Sequence, residues 1–231
     1  MSSGWLILAD DLTGAADCGI PFAKRGIESI VAWGTQFAGK AGVLAMDVDS
    51  RRLAPHLAAE RQVTALRNYW HPGLRLFKKI DSTLRGQPAA ELAAQLACLA
   101  SAGCPGAPLA VVAAAFPATG RITLNGRVIV NGRPLEETPL WGREHSYANA
   151  HLPEILAAAG LSTGLISLDL VRQGTQALFD RLSALARQGT AAAVCDCAVE
   201  DDLMAIAEAS LRLDHAVWVG AGGLAAALAA K

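Results

Sequence analysis

Short apolar runs alternate with longer, alanine-rich helical runs along this chain, and that rhythm restricts the fold more than any other feature. Trp5 to Ala9, Glu28 to Ala32, Gly42 to Met46, Leu74 to Phe77, Leu109 to Ala115, Gly164 to Leu168, Ala191 to Cys195 and Ala216 to Val219 read as strands. Thr13 to about Arg25, Pro55 to about Tyr69, Ala89 to Ala100, Glu154 to Ala159, Val171 to Arg187, Asp201 to Leu211 and Leu224 to Ala230 read as helices. Strands separated by helices must cross over to pair in parallel, which gives a layered α/β fold.

The expected architecture is a mainly parallel sheet with helices on both faces, Rossmann-like or flavodoxin-like. The rhythm breaks between Gly120 and Glu154. There Asn125-Gly126 and Asn131-Gly132 flank Arg127 to Val130, which predicts a small hairpin-containing insertion between two halves of one layer. The 231 residues suffice for a large α/β core, and residues 1–231 are read as one domain.

A net charge of −1 gives no electrostatic case for nucleic acid or an anionic membrane. No apolar run approaches the ~20 residues of a membrane span. Met1-Ser2-Ser3-Gly4 has no basic region, so no leader is expected. Five cysteines without Cys-x-x-Cys spacing read as buried thiols, with Cys195 and Cys197 as a weaker thiol-ligand pair, and the expected compartment is the cytoplasm.

Ligands of open parallel sheets sit outside the carboxyl ends of the strands. Four polar clusters fall there. The first is Asp10-Asp11-Leu12-Thr13-Gly14 with Asp17 a turn later, and the second is Asp49-Ser50-Arg51-Arg52. The third runs from Lys78 through Lys79, Asp81, Ser82, Thr83 and Arg85 to Gly86; the fourth is Phe116-Pro117-Ala118-Thr119-Gly120-Arg121. Each has a bland reading, as a helix cap or a solvated loop with its own ion pairs. Carboxylates, hydroxyls and arginines recurring together suit a small, hydroxylated, anionic molecule.

Two generic motifs compete. Asp47-Val48-Asp49 resembles the nucleophile loop of haloacid-dehalogenase-type phosphatases, which would make this chain a Mg²⁺-dependent phosphate-ester hydrolase; Arg51 stands where that loop has Thr or Val. Gly220-Ala221-Gly222-Gly223-Leu224-Ala225 fits G-x-G-x-x-A, yet has no following strand or acidic residue, so close helix–strand packing is its expected use, with a phosphate on the helix N-terminus as the alternative.

Together, Ala9 to Ala15, Asp49 to Arg51, Lys78 to Gly86, Ala115 to Arg121, Asp196 with Asp201 to Leu203, and Val219 to Ala225 resemble the N-terminal domain of the four-carbon acid sugar kinases, formerly a family of unknown function. The likeness extends from about residue 5 to residue 230; Ala114, where proline is expected nearby, and Cys195-Asp196-Cys197 depart from the pattern. The resemblance implies an ATP-dependent kinase acting on threonate, erythronate or an oxo-tetronate. It implies ATP and Mg²⁺ for the complete enzyme, held by a separate C-terminal nucleotide-binding domain that this chain is expected to lack. A non-enzymatic sugar-acid-binding module is the alternative for the isolated chain.

On that reading Arg51, Ser82 and Arg85 hold the substrate carboxylate. Asp10, Asp11 and Asp81 hold hydroxyls, one of them taking the proton. Lys79 stabilises the transferring phosphoryl group or pairs with an Asp, and Arg121 does either anionic task. Asp17, Asp49, Ser50, Thr83, Gly86, Thr119 and Gly120 complete the expected binding set.

Overall fold

Eight parallel strands form the sheet of the computed structural model, which describes residues 4–34, 41–102, 108–141 and 147–231. Met1 to Ser3, on which the leader expectation rests, and residues 142–146 of the expected insertion lie outside them. The strands are β1 (Trp5–Ala9), β2 (Ser29–Trp33), β3 (Val43–Asp47), β4 (Arg75–Lys79), β5 (Leu109–Ala113), β9 (Thr163–Ile166), β10 (Ala192–Cys195) and β11 (Ala216–Gly220). β6 (Arg121–Leu124), β7 (Arg127–Val130) and β8 (Arg133–Pro134) form a separate antiparallel sheet, the expected insertion. The large sheet runs β2-β3-β1-β4-β11-β5-β10-β9, with every adjacent pair parallel.

The helices are α1 (Leu12–Ala23), α2 (Pro55–Tyr69), α3 (Pro88–Ser101), α4 (Leu152–Ala158), α5 (Leu168–Val171), α6 (Thr175–Arg187), α7 (Glu200–Ser210) and α8 (Gly222–Ala229). Helices α1, α8, α7 and α6 pack in sequence on one face of the sheet, and α2, α3 and α4 on the other. Strand alternation divides the apolar residues accordingly: Trp5, Ile7, Ala9 and Phe77 join Phe22 and Leu224 on the first face, whereas Leu6, Leu8 and Leu76 join Leu66 and Leu92 on the second.

Three boundaries differ from expectation for local reasons. β4 continues through Lys78 and Lys79, which the sequence reading puts in a loop. Their side chains pack on opposite faces and both residues are buried, so charge here does not mark a strand end. The expected helix from Val171 to Arg187 starts only at Thr175, because Val171 ends the preceding short helix α5 and Gly174, with a φ of +107°, interrupts helical geometry between them. In the insertion, Asn125-Gly126 and Asn131-Gly132 all have positive φ, which makes both turns hairpin turns and adds β6 and β8 on either side of β7.

Among the described residues no helix is long and apolar enough to cross a membrane.

Candidate functional site

The carboxyl ends of β3, β1 and β4 are adjacent, and three of the four polar clusters meet there. Arg51 lies at the centre. Its N–H and that of Ser50 both donate to the Asp10 carbonyl, at 3.2 and 3.1 Å, which ties the loop after β3 to the end of β1. Its guanidinium donates to both oxygens of Asp10, Nε to Oδ2 at 2.8 Å and Nη2 to Oδ1 at 2.9 Å. Nη1 donates to Asp11 Oδ2 at 2.6 Å, and Asp81 Oδ1 stands 3.7 Å from Nη2. Burial works against the charge on Arg51, but Asp10, Asp81 and Asp11 outweigh it and hold the guanidinium firmly protonated.

Asp11 also caps α1: its Oδ1 accepts the Gly14 N–H at 2.9 Å. Two adjacent carboxylates thus have separate tasks. Asp10 is 3% exposed and accepts from Arg51 through both oxygens, whereas the Asp11 side chain keeps 27% of its surface.

The loop after β4 folds around Asp81. The Asp81 carboxylate accepts from Arg85 Nε at 3.0 Å and Nη2 at 2.8 Å, from the Thr83 N–H at 3.1 Å, and from the Thr83 hydroxyl. Burial alone raises the Asp81 pKa, yet the bonds from Arg85 and Thr83 reverse this and hold it well below the usual carboxylate range. Leu84 closes the turn at φ +60°, an uncommon region for a branched side chain, and its complete burial anchors it there. Gly86 follows at φ +83°; a Cβ on it would stand 2.9 Å from Asp10 Oδ2. Ser82 is half-buried at the mouth of this loop.

Beneath the cluster, on the α2/α3 face, lies a polar network of which the motif reading includes only Lys78 and Ser50. Lys78 Nζ donates to Glu91 Oε2 at 2.6 Å, and the Ser50 hydroxyl donates to Glu91 Oε1 at 2.5 Å. Gln62 Nε2 donates to Ser50 Oγ at 3.2 Å, and Gln95 Nε2 to Gln62 Oε1 at 2.9 Å. Ser50 is therefore held inward, under the site. Tyr147 from the insertion stands 3.5 Å from the Ala89 N–H, and burial, with Glu91 nearby, pushes its phenol up to about 12. Glu91 and Gln95 recur at i, i+4 on the apolar side of α3, a signal legible in the sequence.

The other expected residues lie apart. Asp49, at φ +49°, pairs with Arg61 and has an 88% exposed side chain. Asp47 accepts the Asp49 N–H at 2.7 Å, and burial raises its pKa. Both line a groove of about 750 Å³ with Trp33, Leu57 and Arg61. The phosphatase reading therefore finds no support, because Asp47 is spent on a turn and Asp49 on a surface ion pair. Thr119 donates to the Phe116 carbonyl and Arg121 Nη1 to the Thr119 carbonyl, so the fourth cluster, two strands away, spends these bonds on its own turn. Asp17 is exposed on α1. Cys195 and Cys197 are both buried and free, as a structural role requires.

The carboxylates of this site do not fit a resident Mg²⁺, since Arg51 already occupies the space between Asp10 and Asp11.

A relative in Cupriavidus necator named D-threonate kinase is 51% identical over 98% of this chain and 54% of its own length. A Heliobacterium modesticaldum relative named D-erythronate kinase is 36% identical over 89% of this chain and 47% of its own length. A Bordetella bronchiseptica domain of unknown function, solved with bound citrate as a domain-swapped dimer, superposes with a TM-score of 0.81 at 33% identity, covering 98% of this chain and 57% of that one. The chain thus spans about half the length of the relatives it matches. The family model for the sugar-binding N-terminal domain matches residues 5–228, and the chain belongs to that family.

Proposed function

We propose that this chain is the acceptor-binding half of an ATP-dependent kinase that phosphorylates a terminal hydroxyl of a four-carbon sugar acid, of the threonate, erythronate or oxo-tetronate class. The observation that carries this is the convergence of Asp10, Asp11, Arg51, Asp81 and Arg85 at three adjacent strand ends. Carboxylates oriented by guanidiniums accept hydroxyl protons in fixed directions, and Arg85 with Ser82 and Gly86 faces the substrate carboxylate at the rim. Asp10 and Asp81 hold hydroxyls. Asp11, the most accessible of the three carboxylates, takes the proton of the reacting hydroxyl; Asp81, strongly stabilised as an anion, is a poor base. Arg51 orders the two aspartates, while Thr83 holds Asp81 in place.

Residues 1–231 act as one sugar-acid-binding domain. ATP and its Mg²⁺ are held by a nucleotide-binding domain outside these residues, fused or in trans, a reading supported by relatives named as kinases and about twice as long. ATP is a cytoplasmic donor, and we place the protein there.

Calorimetry with D-threonate, D-erythronate and 3-oxo-tetronate tests the binding half. Saturable binding of one of them, weakened by Arg85→Ala by about 1.5–3 kcal/mol, is expected. Absence of binding to all three overturns the reading. An ADP-release assay with the second domain added then tests turnover.

A further inference from the structure

Lys79 is 5% exposed, and among the described residues its ammonium makes no hydrogen bond or ion pair. Every other buried charged side chain there has a partner: Asp10 has Arg51, Asp81 has Arg85, Lys78 has Glu91, Asp202 has Arg172, and Asp196 accepts the N–H groups of Asn125 and Gly126. The Lys79 amine still reaches solvent, and a lysine otherwise buried, with no carboxylate in ion-pair range among the described residues, is placed to take an anion from outside.

The surroundings of Lys79 suit an oxyanion. Its strand, β4, lies between β1 and β11. Those two strands feed α1 and α8, which pack against each other on the face to which Lys79 points. Lys79 lies under the first turn of α1, where a Cβ on Gly14 would come within 2.9 Å of Nζ. One turn on, Asp17 approaches the start of α8: a Cβ on Gly222 would stand 3.8 Å from the Asp17 Cβ. Helix α8 follows Ala221, and no capping side chain bonds to its first N–H groups, the arrangement in which a helix start can take an anion. Asp11 does not fill that role, since its oxygens take the Gly14 N–H and Arg51. Asp17 is exposed and makes no bond to α8.

We propose that Lys79 and the amino end of α8 form an oxyanion subsite beside the sugar-acid cradle, and that it takes the phosphoryl group of a phosphate monoester of the bound acid. The identity of the monoester rests on the kinase reading; the subsite itself rests on the unpaired ammonium.

Inorganic phosphate is the probe. Titrated into ¹⁵N-labelled wild-type protein at constant ionic strength, it should shift the amides of Gly14, Gly222 and Gly223 saturably, with chloride giving no such response. Lys79→Met should weaken phosphate binding by about tenfold or more. Should that variant fail to fold, the wild-type shifts decide alone. Shifts that do not saturate, that chloride reproduces, or that centre elsewhere overturn the subsite. A parallel D-threonate titration separates the two claims: phosphate bound without any sugar acid leaves the subsite standing and removes the kinase reading, and the reverse removes the subsite alone.

Discussion

Lys78 Nζ lies 2.6 Å from Glu91 Oε2, and neither side chain is more than 1% exposed. The pair joins β4 to α3 and, through Ser50, to the turn that presents Arg51. Removing one partner leaves a buried charge unpaired. Glu91→Leu is expected to cost about 3–5 kcal/mol, whereas Lys78→Met with Glu91→Leu should recover most of that loss. Urea unfolding of the two single variants and the double variant checks this. A double variant no more stable than either single one shows that the two charges are not coupled.

Gly86→Ala tests the fit of the loop after β4 against Asp10. The positive φ alone costs about 1–2 kcal/mol in a residue with a Cβ. That Cβ also meets Asp10 Oδ2 at 2.9 Å and must push the carboxylate off Arg51. The variant should fold with reduced stability and bind D-threonate at least about tenfold more weakly. Wild-type affinity in a folded Gly86→Ala protein removes Asp10 from the binding surface.

Acid should expose the Arg85–Asp81 pair. The folded-state pKa of Asp81 is depressed below its unfolded value of about 3.9, so its contribution to stability is complete above that value and is lost as pH falls below it. Arg85→Ala removes the largest source of the depression. The stability gap between wild type and variant is therefore expected to be widest near neutral pH and to narrow as pH falls from about 4 toward 2. Denaturant melts at pH 6 and pH 3 measure it; an unchanged gap contradicts the pairing.

The thiols give a check on the core. Burial pushes Cys18 and Cys197 up to about 12, and Cys195 higher still. Alkylation of native protein at pH 8, read by peptide mass spectrometry, should leave these three unlabelled while the half-buried Cys98 reacts. Labelling of Cys195 without denaturant means that β10 opens far more readily than a central strand should.

The sheet and its helix layers are legible in the sequence because Trp5 to Ala9 or Ala216 to Val219 can only be buried runs between helical ones. The meeting of Asp10, Arg51 and Asp81 follows from strand order, since parallel strands place their carboxyl ends on one rim. Strand order also decides what stays apart: β11 lies between β4 and β5, so Arg121 is held off from the other arginines. Side-chain direction is the other hidden quantity. Ser50 and Asp49 are neighbours in the motif, yet one is wholly buried against Glu91 and the other projects into solvent. A left-handed φ at Asp49 separates them, and no composition rule announces it.

Lys78 and Lys79 are chemically identical neighbours serving opposite layers, and this gives β4 a means of proofreading its own alignment. A slip of one position between β1 and β11 would turn Phe77 toward Glu91 and leave that carboxylate facing a phenyl ring. It would also drive the Lys78 amine in under Gly14 and carry Lys79 across to the other face. Hydrophobic contacts forgive such errors in part, because one apolar residue substitutes tolerably for another; a buried carboxylate does not. The charged pair therefore penalises mispaired chains at the middle of the sheet, where an error would propagate to both flanking strands.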